Sequence, residues 1–280
     1  MAVFEGGIKV ETEYISGLPV DNLTRQSLLD DLPLFLASNK KMIITSVNPQ
    51  ISLQAERYPK VKSYIERATH RIPDGVGVVK MSKYLGGNIR QRVTGIDVMD
   101  DCLQFADDKG YRIFLYGAKK EVVEKAAANI TSRYPGLVIA GMIHGYTKKS
   151  QKQIVKKIND ARPTFLFVAL GSPKQELFLE DALDQLNAKV YLDVGGTFDV
   201  LAGVVKRAPK IFIKLNLEWL YRSLKYRRPE RLRQIPHYML RSWRLRKITQ
   251  TEAVDSKNEV MGDSGKKEEP LIYKEREHLS

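Results

Sequence analysis

Three side chains of the kind that can move a proton and meet a developing negative charge stand in separate turn-like segments. Asp74 lies in Ile72-Pro73-Asp74-Gly75, Arg92 in Arg92-Val93-Thr94-Gly95-Ile96-Asp97, and Asn48 in Ile44-Thr45-Ser46-Val47-Asn48-Pro49-Gln50. A carboxylate can act as a general base, and an arginine or a helix-terminal amide can stabilise a phosphate. Each segment also has a plain reading when taken alone. Pro-Asp-Gly is a common turn, Asn-Pro opens turns and helices, and Arg92 suits a solvated surface. A fourth segment, Gly171-Ser172-Pro173-Lys174-Gln175-Glu176, reads as a capping box after a strand, with Ser172 as N-cap, Pro173 at N1 and Gln175 at N3. Such a helix start would aim its amides at a phosphate.

Several chemistries lose their usual support. There is no Gly-x-Gly-x-x-Gly after a strand, no Walker sequence and no Cys-x-x-Cys, which argues against dinucleotide redox chemistry, NTP hydrolysis and structural zinc. Asp100-Asp101 and Asp107-Asp108 are adjacent pairs on an expected helix, better explained by a solvated face than by a metal site. His144 has no partner at metal-ligand spacing and reads as structural.

The elements that must position these residues alternate. Short β-branched or aromatic runs predict strands at Met42–Val47, Arg112–Tyr116, Leu137–Met142, Thr164–Ala169 and Val190–Val194. Apolar residues at three- and four-residue spacing predict helices at Val98–Lys109, Lys119–Arg133, Lys148–Asp160 and Pro173–Leu186. The order is that of an α/β fold, a Rossmann-like parallel sheet flanked by helices, over residues 1–205. Each strand runs into a polar or glycine-rich turn, including Gly171-Ser172-Pro173 and Gly195-Gly196-Thr197. Ligands of open α/β sheets bind beyond the carboxyl ends of the strands, so these turns mark the expected site.

Charge is distributed unevenly. Residues 1–205 carry 27 Lys and Arg against 23 Asp and Glu, residues 206–247 carry 14 against 2, and residues 248–280 carry 5 against 8. The formal net charge of +13 therefore arises almost wholly in one block that begins at Lys206. That block is expected to be a basic amphipathic helical appendage, and 248–280, polar and mixed in charge, a disordered tail. The single cysteine, Cys102, excludes an internal disulfide. The start Met1-Ala2-Val3-Phe4-Glu5-Gly6-Gly7 has neither a basic region nor an apolar run, and the most apolar stretch, Phe165–Leu170, is far short of a membrane span. A cytoplasmic protein is expected.

Taken in order, the segments around Asn48, Asp74 and Arg92 resemble the WecG/TagA/CpsF family, glycosyltransferase family 26. The resemblance continues through Gly171 to Glu176, Val194-Gly195-Gly196-Thr197-Phe198-Asp199, Arg207-Ala208-Pro209 and Leu217-Glu218-Trp219-Leu220-Tyr221-Arg222, and covers about residues 10–245. Within the family the chain looks most like the TagA/TarA branch of wall teichoic acid synthesis. The resemblance implies an inverting transfer of N-acetylmannosamine from UDP-N-acetylmannosamine to the 4-hydroxyl of N-acetylglucosamine on undecaprenyl diphosphate, with no cofactor and no metal. By the same resemblance Asp74 is the base and Arg92 a pocket arginine. Asn48, with a hydroxyl from Thr45 or Ser46, lines the same cavity, and Gln175 reaches into it. Asp199 is similar to the family's nucleotide-binding acid, with Gly171, Gly195 and Gly196 at the turns around it. Tyr146 offers either a ring to stack on uracil or a packing aromatic. Relatives transfer N-acetylmannosaminuronic acid or glucose, so the donor sugar stays open, as does a homo-oligomer.

The appendage mixes its arginines and lysines with Trp219, Tyr221, Tyr226, Tyr238 and Trp243. That composition suits an anionic membrane surface, and therefore a peripheral position at the inner face of the cell membrane. By resemblance its arginines also close over the diphosphate, with Arg222 and Arg231 the expected contacts. A basic aromatic tail would equally suit single-stranded nucleic acid. That competing class leaves the ordered turn motifs unexplained, so no nucleic-acid partner is expected.

Overall fold

The computed structural model describes residues 11–209, 211, 212, 218, 221, 225 and 236–245. A hairpin of β1 (Thr12–Ile15) and β2 (Leu18–Asp21) comes first, turning through Ser16 and Gly17 at positive φ. It is followed by α1 (Arg25–Ala37), β3 (Met42–Val47), α2 (Pro49–Arg57), α3 (Pro59–Arg67), β4 (His70–Pro73), α4 (Val76–Leu85) and α5 (Gly95–Lys109). The second half runs β5 (Arg112–Gly117), α6 (Lys120–Arg133), β6 (Val138–Ile143), α7 (Gln151–Asp160), β7 (Phe165–Ala169), α8 (Lys174–Ala182), β8 (Val190–Asp193) and α9 (Thr197–Leu201).

Six strands form one parallel sheet in the order β4-β3-β8-β7-β5-β6. The central strands are buried on both faces, which is why they read as near-continuous apolar runs. One face of the sheet packs α2, α3, α4, α7 and α8 around Tyr64, Phe114, Leu166 and Tyr191. The other packs α1, α5, α6 and α9 around Leu32, Leu103, Phe165 and Phe198. The expected α/β class holds, and the five expected strands lie within one residue of those observed.

Apart from the short α9, the elements that the sequence pattern did not announce lie in the first half of the chain, toward the β4 edge. β4 has only four residues, and its exposed edge is covered rather than left to pair. Asp21 from the hairpin accepts from the Arg71 backbone N–H at 2.8 Å and from both guanidinium arms at 3.0 Å. His70 meets Asp31 of α1 at 3.1 Å. Helices α2 and α3 each begin on a proline at N1, Pro49 and Pro59.

Of the basic block, residues 236–245 form a helical segment that docks on the body. Tyr238 is buried against the first face, and Arg241 donates to the Ser52 carbonyl at 2.9 Å. The tail 248–280 lies outside the described residues. Among the described residues no helix is long and apolar enough to cross a membrane.

Candidate active site

Because the sheet is parallel, all six carboxyl ends open onto one rim. At its β4 end the Asp74 N–H donates to the carbonyls of Val47 and Ile72, both at 2.9 Å, which fixes Asp74 beside the end of β3. Gly75 follows at φ 131°, a conformation that a side chain would strain, and lets the chain turn into α4. The Val93 N–H donates to the Pro73 carbonyl at 3.1 Å and brings Arg92 alongside. Arg92 Nη2 then stands 3.8 Å from Asp74 Oδ1 and 3.1 Å from Glu218 Oε2.

Glu218, to which the sequence motif assigns no role, stands at the centre of this charged cluster. It is buried, and its second oxygen lies 3.9 Å from Arg207, which in turn meets Asp97 at 2.8 Å. A row of alternating charge, Asp74, Arg92, Glu218, Arg207 and Asp97, thus links the turn after β4, the start of α5 and the basic block. The signal available in the sequence was an acid set in a block with 14 cations and only one other acid. The aspartate pairs considered for a metal are used elsewhere: Asp101 pairs with Arg25, and Asp100 with Arg133 at 2.9 Å. No group of three or more His, Cys, Asp or Glu among the described residues is arranged to hold a metal.

Thr45, Ser46 and Asn48 part company through the alternation of β3. Ser46 faces the start of α5, where a side chain on Gly95 would come within 3.2 Å of its Oγ. Thr45 is fully buried on the opposite face. Asn48 caps α2, its Oδ1 accepting from the Ile51 N–H at 3.0 Å, which leaves its amide nitrogen to donate elsewhere.

Under the middle of the rim lies a buried polar cluster. Gln175 Nε2 donates both to Glu176 Oε1 at 3.0 Å and to Asp193 Oδ2 at 3.1 Å, while Gln175 Oε1 accepts from the Gly195 N–H at 3.2 Å. Tyr64 donates to Asp193 Oδ1 at 3.1 Å. Burial, reinforced by Asp193, raises the Glu176 pKa to about 8. Burial also raises Asp193, to about 6, against the lowering effect of the Thr45 and Tyr64 hydroxyls. The capping box expected at Ser172 and Gln175 does not form. Helix α8 starts at Lys174 without a side-chain cap, because the Gln175 amide is drawn inward to the two acids and Gly195.

The nucleotide-side candidates follow three different strands: Gly195, Gly196 and Asp199 after β8, Gly171 after β7 and Tyr146 after β6. Helix α6 after β5 and helix α8 after β7 lie on opposite faces of the sheet, so the β5–β7 border is a switch point at which a crevice opens. A side chain on Gly117 would meet the Ala169 carbonyl at 2.3 Å, so only glycine permits this closeness. Gly171 (φ 75°) and Gly195 (φ 50°) both face open space. Asp199 Oδ2 lies beside Gly196, 3.7 Å from where a side chain would begin. Tyr146 is 70% exposed, which sets it apart from the packing aromatics. Arg222 and Arg231 lie outside the described residues.

Residues 13–252 match the Glycosyl transferase WecG/TagA/CpsF family. Similar proteins from Staphylococcus aureus strains NCTC 8325 / PS 47, COL and MRSA252 are each 38% identical over 228 residues, covering 80% of this chain and 89% of the relative. Each of these relatives is named N-acetylglucosaminyldiphosphoundecaprenol N-acetyl-beta-D-mannosaminyltransferase.

Proposed function

Because the chain belongs to the WecG/TagA/CpsF family of glycosyl transferases, we propose that it moves N-acetylmannosamine from UDP-N-acetylmannosamine to the 4-hydroxyl of N-acetylglucosamine on undecaprenyl diphosphate, with inversion, in the building of a wall teichoic acid linkage unit. The observation that carries this reading is the Asp74 carboxylate on the β3–β4 rim, 27% exposed and held 3.8 Å from a largely buried Arg92. The acceptor hydroxyl attacks the anomeric carbon, its proton passes to Asp74, and the bond to UDP breaks with its electrons going to the β-phosphate. An ordinary carboxylate pKa is enough for this step, since the proton moves late as the hydroxyl attacks a carbon with oxocarbenium character.

Arg92 supports the charge at this end of the site, with Ser46 and Asn48 lining the acceptor cavity and Thr45 acting from beneath. Asp199, Gly171, Gly195, Gly196 and Tyr146 take the uridine. The departing diphosphate is met by Arg222 and Arg231, and the basic block rests on the anionic inner face of the membrane. Transfer by these groups needs no added metal.

Purified protein is to be given a lipid-diphosphate N-acetylglucosamine acceptor and a panel of UDP-sugars. The disaccharide is expected with UDP-N-acetylmannosamine, with or without chelator, and UDP release only when acceptor is present. Preference for UDP-N-acetylmannosaminuronic acid or UDP-glucose would reassign the donor. Loss of activity in chelator, restored by magnesium or manganese, would defeat the metal-independent mechanism.

A further inference from the structure

Beneath the rim, Glu176 and Asp193 are both buried, and both accept from the same Gln175 nitrogen, which places the two acids within about 6 Å of each other. Neither forms an ion pair with a described lysine or arginine. Two bare negative charges so close and so far from water are mutually destabilising, so one of the two carries a proton. The hydrogen bonds say which. Asp193 accepts at both oxygens, from Tyr64 and Gln175, as a carboxylate does. Glu176 accepts at Oε1 only; its Oε2 is buried without a formed hydrogen bond, beside the equally unpaired Ser172 hydroxyl.

We propose that this acid–carboxylate pair is a positioning device for the donor site, which orients the Gln175 amide and through it holds the Gly195-Gly196 turn in the form that accepts the nucleotide. With two carboxyl oxygens at one end of the amide, only the NH2 group can face them. The amide oxygen is thereby turned to the Gly195 N–H, 3.2 Å away. Gly195 sits in the left-handed region at φ 50° and leads directly to Thr197, whose hydroxyl donates to the Val194 carbonyl at 2.6 Å, and to Asp199. The hydrogen bond from a fixed amide thus adds, at Gly195 itself, to the Thr197 N–H bond that closes the turn on the Val194 carbonyl at 3.0 Å. If the pair took a second negative charge, the amide would be pulled toward it and the Gly195 contact would weaken.

The groups facing the pair from the elements packed on it are Tyr64 from α3, Thr45 and the Ser46 amide from β3, and Ser172 from the β7–α8 turn. Tyr64 is itself raised well above an ordinary phenol by burial and by both acids, so it stays protonated. Glu176 is then the group whose charge changes near neutral pH.

This inference rests on the proposed function only in taking the ligand to be a uridine nucleotide, and the test is read on UDP affinity, which needs no acceptor. Titration calorimetry with UDP on the full chain comes first; failure of the unaltered protein to bind UDP counts against the proposed function, whatever the pair does. From pH 7 to 9 the unaltered protein is expected to lose affinity about threefold or more, and Glu176→Gln to hold its affinity, since its amide can serve Gln175 with oxygen and Ser172 with NH2. The nucleotide's own titration is common to both. Asp193→Asn is expected to weaken UDP about tenfold and to raise the donor KM more than it lowers kcat, because an NH2 group there confronts Tyr64 or Gln175. Parallel pH profiles for the unaltered protein and Glu176→Gln would overturn the proposal, as would an Asp193→Asn protein that folds and binds UDP normally. If Asp193→Asn does not fold, the pH comparison decides alone.

Discussion

Glu176→Gln should make the protein more stable in alkaline solution than the unaltered chain, by an amount that grows with pH. The folded-state pKa of Glu176 is raised from 4.5 to about 8, so between those values the folded chain holds a proton that the unfolded chain has released. The slope of unfolding free energy with pH follows the difference in bound protons, unfolded minus folded, which here is negative. Stability contributed by the protonated acid is complete below about pH 4.5 and is lost as pH rises through about 8. One proton corresponds to about 1.4 kcal/mol per pH unit, so from pH 5 to 8 the loss is on the order of 3 kcal/mol. At roughly 2–4 °C per kcal/mol for a chain of this size, that is a melting-temperature difference of about 6–12 °C.

The assay is urea unfolding of both proteins at half-unit intervals from pH 5 to 8.5. Titrations elsewhere in the molecule, Asp193 included, contribute to both curves, so the useful quantity is the unaltered protein minus the variant. That difference is expected to fall steadily through the range. A flat difference would mean that Glu176 is charged in the folded state throughout, and the acid–carboxylate reading of the cluster would be wrong. A rising one would reverse the sign of the linkage.

Three other outcomes follow from the rim. Asp74→Asn should lower kcat by about 10²–10⁴-fold with UDP affinity retained, as measured by turnover and calorimetry, since it removes a base without changing side-chain size. Glu218→Gln should cost about 2–3 kcal/mol in urea unfolding, short of the 3–5 kcal/mol of an isolated buried pair, because Arg92 and Arg207 each keep a second carboxylate. Removing residues 250–280, polar and without a net positive charge, should leave both melting temperature and transfer unchanged in a turnover assay.

The central strands were legible because burial on both faces demands unbroken apolar runs, and β3 carries the same limits in sequence and structure. The helices α2 and α3 were not, since nine-residue helices opened by Pro49 and Pro59 look like turns until the chain is seen to fold over the sheet. β4 was missed for a related reason: His70 and Arg71 are polar, and their acid partners Asp31 and Asp21 stand 39 and 50 positions earlier. Asp74 and Arg92 were legible as candidates through the resemblance, while their juxtaposition depends on the Val93–Pro73 hydrogen bond, which no local pattern announces. Asp193 was hidden altogether. An acid ending the run Val190-Tyr191-Leu192 marks a special strand end, but its partners Tyr64 and Gln175 are 129 and 18 positions away.

The two acid systems of the rim divide the demands of a transferase between them. At the β4 end, acids are paired with arginines: Arg92 stands between Asp74, the base proposed above, and Glu218, whose closer carboxylate keeps the guanidinium from collapsing fully onto Asp74. A guanidinium at 3.8 Å from the base and 3.1 Å from a competing carboxylate is restrained without neutralising the base through a short bond. Under the middle of the rim, Glu176 and Asp193 meet at the Gln175 amide with no arginine between them, and a proton on Glu176 leaves the pair one negative charge instead of two. The buried pair orients an amide, whereas the charged row at the β4 end ties the basic block to the body through Glu218, beside the docked segment 236–245.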